Sequence, residues 1–297
     1  MTAIVLGSAA GGGFPQWNCN CDVCRLAWTG DPRVRARTQA SLAVSADSKR
    51  WTLLNASPDL RAQIQATKAL QPRGKRDSPI GAVVLTGAEI DQTAGLLSLR
   101  ERSPFSLIAT AATLAAVADN PMFGALVSDV VTRRAITPGQ RFPLADGLEA
   151  ELFMVPGKVP LYLEDENPET AEESAVNVGV EITDGAKRLA YVPGAAAMRL
   201  ALRERLSRAD AILFDGTLFT DDEMIRTGTG TKLGRRMGHM PIEGEGGALQ
   251  SLQGLSPRKI FVHINNTNPV LVDGSPERRR VEAAGWEIAW DGMEIVL

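Results

Sequence analysis

The 297-residue chain carries 32 Lys and Arg, 35 Asp and Glu, and only two histidines, His239 and His263. Its 44% hydrophobic content is enough for a full core and argues against disorder, while a net charge of -3 argues against a nucleic-acid-binding surface. Two imidazoles are too few for a conventional dinuclear zinc hydrolase, so any metal chemistry must lean on carboxylates, amides or thiolates.

Ala3 to Leu6 is an apolar run ending in glycine. With the glycines that follow it reads as a first strand and a loop, since the basic n-region and long h-region of a signal peptide are missing. Cys19, Cys21 and Cys24 lie in a segment of about 11–40 expected to lack regular structure. Ser41–Val44 and Trp51–Asn55 read as strands joined by a turn at Asp47 and Ser48. Ser57-Pro58-Asp59 predicts a helix start, with Ser57 as cap and the helix running through Ile64. A basic linker, Gln71–Pro79, precedes a strand at Ala82–Leu85, a helix at Gln92–Arg100, a strand at Phe105–Ala109 and an alanine-rich helix from Thr113.

Pro156–Glu173, acidic and proline-bearing, reads as a loop over one face. Val176–Ile182 and Leu189–Val192 predict a second strand pair. Helix Met198–Leu206, strand Ala211–Phe214, helix Gly247–Leu252 and strand Ile260–Ile264, with His263 inside it, complete the pattern. The alternation predicts one α/β domain spanning 1–297. No run approaches the roughly 20 apolar residues of a membrane span. The expectation is a protein of the cytoplasm with neither membrane nor nucleic acid as partner; a homodimer is left open.

Three thiols spaced C-x-C-x-x-C and no distant cysteine suit one structural zinc better than a disulfide framework. The fourth ligand is open among His239, His263, Asn266 and Asp22. Glu89 and Asp91 lie in the turn after a strand, where α/β folds gather ligand sites; from spacing alone, the reading of Asp91 as a helix cap prevails. Asp215 follows a strand as Asp-Gly-Thr, and His263 is followed by Asn265, Asn266 and Asn268.

That combination resembles the metallo-β-lactamase superfamily. Thr86-Gly87-Ala88-Glu89-Ile90-Asp91-Gln92-Thr93-Ala94-Gly95-Leu96 keeps the frame of its Thr-His-x-His-x-Asp-His-x-x-Gly-Leu motif with the histidines replaced. Asp215 matches the bridging Asp, His263 the last His, and Lys158 stands near the middle His; Gly238-His239 resembles the His loop of the tRNase Z branch. A closer resemblance, to the PqqB family of pyrroloquinoline quinone biosynthesis proteins, covers nearly the whole chain. It rests on Gly7 to Cys21, Asn55 to Arg61, Gly238-His239-Met240-Pro241-Ile242 and His263 to Pro269. Many members of that family carry Asp-His where this chain has Asp91-Gln92.

The resemblance implies an αββα sandwich of two mixed sheets flanked by helices. It further implies an iron- and O2-dependent hydroxylase acting on the tyrosine ring of a Glu–Tyr diamino acid, with a non-catalytic carrier of the quinone or its intermediate as the alternative. Glu89, Asp91, Asp215 and His263 would then hold a single Fe(II) with open positions, with Asp91, Lys158 and His239 as catalytic residues and His239 as proton carrier. A polycarboxylate substrate calls for cations, and Arg61, Lys158, Arg235 and Arg236 are the candidates.

Overall fold

In the first strand, β1 (Thr2–Gly7), Ala3 and Val5 join one apolar cluster while Ile4 and Leu6 join another. Strand side chains alternate sides, so apolar residues on both faces mean a sheet covered on both. The computed structural model describes residues 1–144, 147–164, 170 and 172–297. Its further strands are β2 (Ser41–Ser45), β3 (Trp51–Leu54), β4 (Ile80–Val84), β5 (Phe105–Ala109), β6 (Val131–Ala135), β7 (Arg141–Pro143) and β8 (Glu149–Pro156). Then come β9 (Glu173–Thr183), β10 (Arg188–Val192), β11 (Ala211–Asp215), β12 (Arg258–Val262), β13 (Trp286–Ile288) and β14 (Glu294–Val296).

They form two seven-stranded sheets, ordered β14-β1-β2-β3-β4-β5-β6 and β13-β12-β11-β10-β9-β8-β7. Each sheet is mixed in the same way. Pairings from β14 to β3 are antiparallel and those from β3 to β6 parallel. In the second sheet, pairings from β7 to β10 are antiparallel and those from β10 to β13 parallel.

The sheets pack face to face through Val5, Leu42 and Val84 on one side and Leu152, Val180 and Leu213 on the other. Helices α1 (Asp22–Trp28), α2 (Leu60–Ala66), α3 (Ile90–Thr93), α4 (Ala111–Ala118), α5 (Leu200–Leu206), α6 (Glu223–Arg226), α7 (Ala248–Ser251) and α8 (Pro276–Ala283) complete the chain. Leu60 of α2 and Val117 of α4 cover the outer face of the first sheet. Leu202 and Leu206 of α5, Leu249 of α7 and Val281 of α8 cover that of the second. This is the expected αββα sandwich.

Several local expectations are corrected. The helix after Ser57 begins at Leu60, and the Ser57 hydroxyl donates to Gln63 instead of capping. The segment around Cys19–Cys24 contains the α1 helix. The predicted Gln92–Arg100 helix is α3 followed by a 3-10 turn over Ala94–Leu99. His263 lies just past β12 with φ +59, outside the strand. Of the Pro156–Glu173 loop, residues 165–169 and 171 lie outside the described residues. No helix among the described residues is long and apolar enough to cross a membrane.

Candidate functional site

The ends of β4, β10, β11 and β12 open on one edge of the sandwich, where carboxyl ends of parallel strands collect ligand sites. Past β4, Thr86 is locked to Asn55 by its N–H (2.9 Å) and by the Asn55 amide on its hydroxyl (2.9 Å). Glu89, not Asp91, is the cap of α3, and Gln92 completes a capping box by accepting from the Glu89 N–H at 3.2 Å. A Cβ at Gly87 would stand 2.6 Å from Gln92 Oε1, so the bare glycine leaves room for that amide. Asp91, on the first turn of α3, is left to face inward, and its Oδ2 lies 2.9 Å from His263 Nε2.

Asp215, the last residue of β11, is fully buried. Its Oδ2 accepts from Ala195 N–H (2.9 Å) and lies 2.8 Å from His239 Nδ1; its Oδ1 accepts from the Thr217 N–H (3.0 Å) and hydroxyl (2.6 Å). The Thr217 hydroxyl is the hub, 2.8 Å from His263 Nδ1 and 3.1 Å from His239 Nδ1. The two imidazoles stack with centroids 5.1 Å apart. Nothing in the sequence reading marked Thr217 beyond its place in Asp-Gly-Thr after the strand.

Burial works against both charges of the Asp91–His263 pair, yet their mutual bond outweighs it. The Asp91 carboxyl is held below its usual range, and the His263 imidazole is raised by Asp91 and, more distantly, Asp215. Donor atoms of Asp215, His239 and His263 all lie within 4.8 Å of one another. Two imidazoles and one carboxylate, one imidazole backed by a second carboxylate, form a donor set that fits a divalent transition metal.

A cavity of about 470 Å³ opens over this group, lined by Asp91, Lys158, Asn177, Thr217, Lys232, His239 and His263 among others. Its size suits a small organic molecule. Glu89 lines it too, but its carboxylate is held by Lys158 Nζ (2.9 Å) and the Leu161 N–H (3.1 Å), so it does not join the metal-type donors as expected. Of the cations expected there, Lys158 lines the cavity. Arg61 is on the exposed side of α2 and does not line it. Arg235 spends its guanidinium on the Glu245 and Ala196 carbonyls, and Arg236 reaches Glu164 at 2.9 Å. Neither lines the cavity. Lys232, absent from the expected set, does; it follows a glycine- and threonine-rich loop that gave no signal.

The three thiols form a second group with sulfurs within 4.8 Å of one another. Asn266 lies against it: its side-chain amide donates to Cys24 Sγ at 3.3 Å, and its backbone carbonyl accepts from the Cys21 and Cys24 thiols at 3.8 Å. The other fourth-ligand candidates lie elsewhere, His239 and His263 in the first group and Asp22 on Arg25. Burial pushes the Cys21 thiol up to about 12, with the neighbouring thiols adding to it. A cation would favour the thiolates this setting otherwise opposes.

A Beta-lactamase superfamily domain profile matches residues 50–264. The chain is 54% identical over 299 residues to the coenzyme PQQ synthesis protein B of Methylorubrum populi, covering all of both chains. It is 55% identical to that of Rhizobium meliloti, covering 99% of this chain and 97% of the relative. Among solved structures, zinc-bound PqqB from Methylobacterium extorquens superposes with a TM-score of 0.98 at 55% identity over the full length of both chains. A diphosphatase of the PhnP family, 18% identical with a TM-score of 0.71 over all of this chain and 97% of its own, shares the fold. The chain belongs to the metallo-β-lactamase superfamily and, within it, to the coenzyme PQQ synthesis protein B family, whose work is the biosynthesis of PQQ.

Proposed function

We propose that the protein is an iron- and O2-dependent hydroxylase of the tyrosine ring in the Glu–Tyr diamino acid that leads to PQQ. The observation that carries this reading is the convergence of Asp215, His239 and His263 beneath the cavity. Two histidines and one carboxylate with remaining positions open are the donor set of non-haem iron oxygenases. Two zinc ions for hydrolysis would need imidazoles at Gly87, Glu89, Gln92 and Lys158 that this chain does not have.

Asp215, His239 and His263 would hold the iron, which would supply the dioxygen activation that a phenol ring requires. The chain's own residues do the rest. The Thr217 hydroxyl and the Ala195 N–H fix the Asp215 carboxylate. Asp91 orients the His263 ring through its contact with Nε2. His239, half-buried, lines the cavity, so the group it forms with Asp215 and His263 faces the space open to a substrate. The thiol group, with zinc as the fitting ion, is a structural site on the opposite flank of the His263–Asn268 segment.

The test is anaerobic loading with Fe(II), addition of a reductant, the Glu–Tyr diamino acid and O2, and measurement of O2 uptake and product mass. A product heavier by one oxygen atom, lost in His263→Ala and Asp91→Ala, is expected. Saturable, iron-independent binding with no product would replace this reading by that of a carrier.

A further inference from the structure

Asn177 lies on β9 where that strand reaches the cavity. Its Nδ2 is ringed by three backbone carbonyls, Gly194 at 3.1 Å and Val155 and Pro156 at 3.4 Å each. The amide thus ties the end of β8 to the residues just past β10, across β9. An amide oxygen turned to that side would meet three acceptors with no proton between them. The orientation is therefore fixed, with nitrogen on the carbonyls and oxygen away from them. The backbone makes room for it: a Cβ at Gly157 would stand 2.2 Å from Nδ2, so only glycine at that position admits the amide.

The Asn177 Oδ1 is left over. Among the described residues no N–H or O–H donates to it, and the residue is half-buried on the cavity lining. A Cβ built on Gly194 would lie 3.9 Å from Oδ1 and 3.3 Å from His239 Cε1, so the oxygen and the imidazole flank the same bare Cα. The acceptor stands beside the group formed by Asp215, His239 and His263. It is held in place before any ligand arrives, so a bond to it costs little further ordering. An amide oxygen accepts and cannot donate. A carboxylate, an ether or a quinone carbonyl cannot bond it. An ammonium would leave water for a neutral acceptor, which does not offset the desolvation of its charge. A neutral donor fits. Ala88, Ile90, Pro160, Leu161 and Met237 give the same cavity apolar walls, which suit an aromatic ring, and the ordinary neutral donor on such a ring is a phenolic hydroxyl.

We propose that Asn177 is a ligand-binding residue whose Oδ1 accepts the hydrogen of a ring hydroxyl and sets that ring beside His239. The proposal rests on the hydroxylase reading only in taking the ligand to be a phenol. Gly157 and Gly194 serve it by leaving space, the first for the amide nitrogen and the second for the approach to its oxygen.

The test is calorimetric titration of the full-length protein as purified, under anaerobic conditions that prevent turnover. The probes are the Glu–Tyr diamino acid, its counterpart with phenylalanine in place of tyrosine, and its para-fluoro counterpart, which has no hydrogen to donate at that ring position. The unaltered protein should bind the phenol about tenfold more tightly than either counterpart, or about 1.4 kcal/mol. In Asn177→Ala the affinities should converge through loss of phenol binding alone. Asn177→Ser, whose hydroxyl can still donate to the carbonyls the amide served, should behave the same and covers the case of an alanine variant that does not fold. Equal binding of all the probes by the unaltered protein would overturn the proposal, as would a preference for the phenol that survives in a folded Asn177 variant. Because the readout is binding without O2, a failed hydroxylation assay with this preference intact would remove the hydroxylase reading and leave the Asn177 contact standing, and turnover without the preference would do the reverse.

Discussion

Thr217→Val removes one hydroxyl and keeps the side-chain shape, so it tests whether the site is organised by that group. The Thr217 oxygen lies 2.6 Å from Asp215 Oδ1, 2.8 Å from His263 Nδ1 and 3.1 Å from His239 Nδ1. Asp215 is fully buried and keeps only the Ala195 and Thr217 N–H groups and the His239 ring after the change. Losing a hydrogen bond to a buried charged group costs about 2 kcal/mol, which in a chain of this size lowers Tm by about 4 °C. The larger effect falls on the metal. Groups that orient ligands contribute about 10- to 100-fold to metal affinity, so competition with a chelator should show Fe(II) binding weakened in that range. Thr217→Ser restores the hydroxyl and should bind iron like the unaltered protein. A valine variant with unchanged Tm and unchanged iron affinity would refute the hub role.

Two further outcomes follow from Glu223 and Cys21. Glu223 is raised from 4.5 to about 7, chiefly by burial, against the opposing bonds from the Thr267 hydroxyl and the Phe219 N–H. An acid whose folded pKa is raised favours the folded state most below its unfolded pKa and loses that contribution as pH rises through the folded value. The window is therefore about pH 4.5 to 7, and the loss is on the order of 3 kcal/mol. Urea denaturation across that window should show the loss in the unaltered protein and a flatter profile in Glu223→Gln; parallel profiles would contradict it. Cys21→Ser should lower the zinc content by about one ion per chain and lower Tm with it, since a structural zinc site contributes folding free energy. Equal zinc by elemental analysis would dismiss the thiol site.

Much of the fold was legible because its strands are apolar on both faces. Ala3–Leu6, Ala82–Leu85 and Ala211–Phe214 stand out whatever surrounds them, and the structure makes each a strand. Strands at the rims were not legible. The edge strand β6, Val-Thr-Arg-Arg-Ala, buries only its first residue, and β7 and β14 are three residues each. The site divides the same way. Asp91, Asp215 and His263 hold positions a motif can mark, because Asp215 ends a strand, His263 directly follows one and Asp91 lies in the first connection after one. Gln92 and Glu89 share that motif, but local backbone chemistry claims Gln92 for the capping box and a distant lysine claims Glu89. Thr217 and Lys232 act through contacts more than 20 residues away in sequence, and no spacing announces those.

The position of His263 shows why the thiol loop belongs to the same machinery. Its φ of +59 is the left-handed region, where a residue with a β-carbon costs about 1–3 kcal/mol unless its surroundings over-determine it. The surroundings do so on both sides. Ile264 N–H bonds the Ser8 carbonyl and Ala10 N–H bonds the Ile264 carbonyl, tying the segment to the end of β1. Asn265 N–H bonds the Thr217 carbonyl, and the Asn268 amide reaches the carbonyls of Gly216 and Thr217, tying it to the residues after Asp215. Between these anchors, Asn266 has Cys21 and Cys24 as its hydrogen-bond partners among the described residues. A cation on the thiols would fix the middle of the segment whose first residue is the metal-type ligand, and the anchored backbone of that segment holds the His263 ring against Asp91.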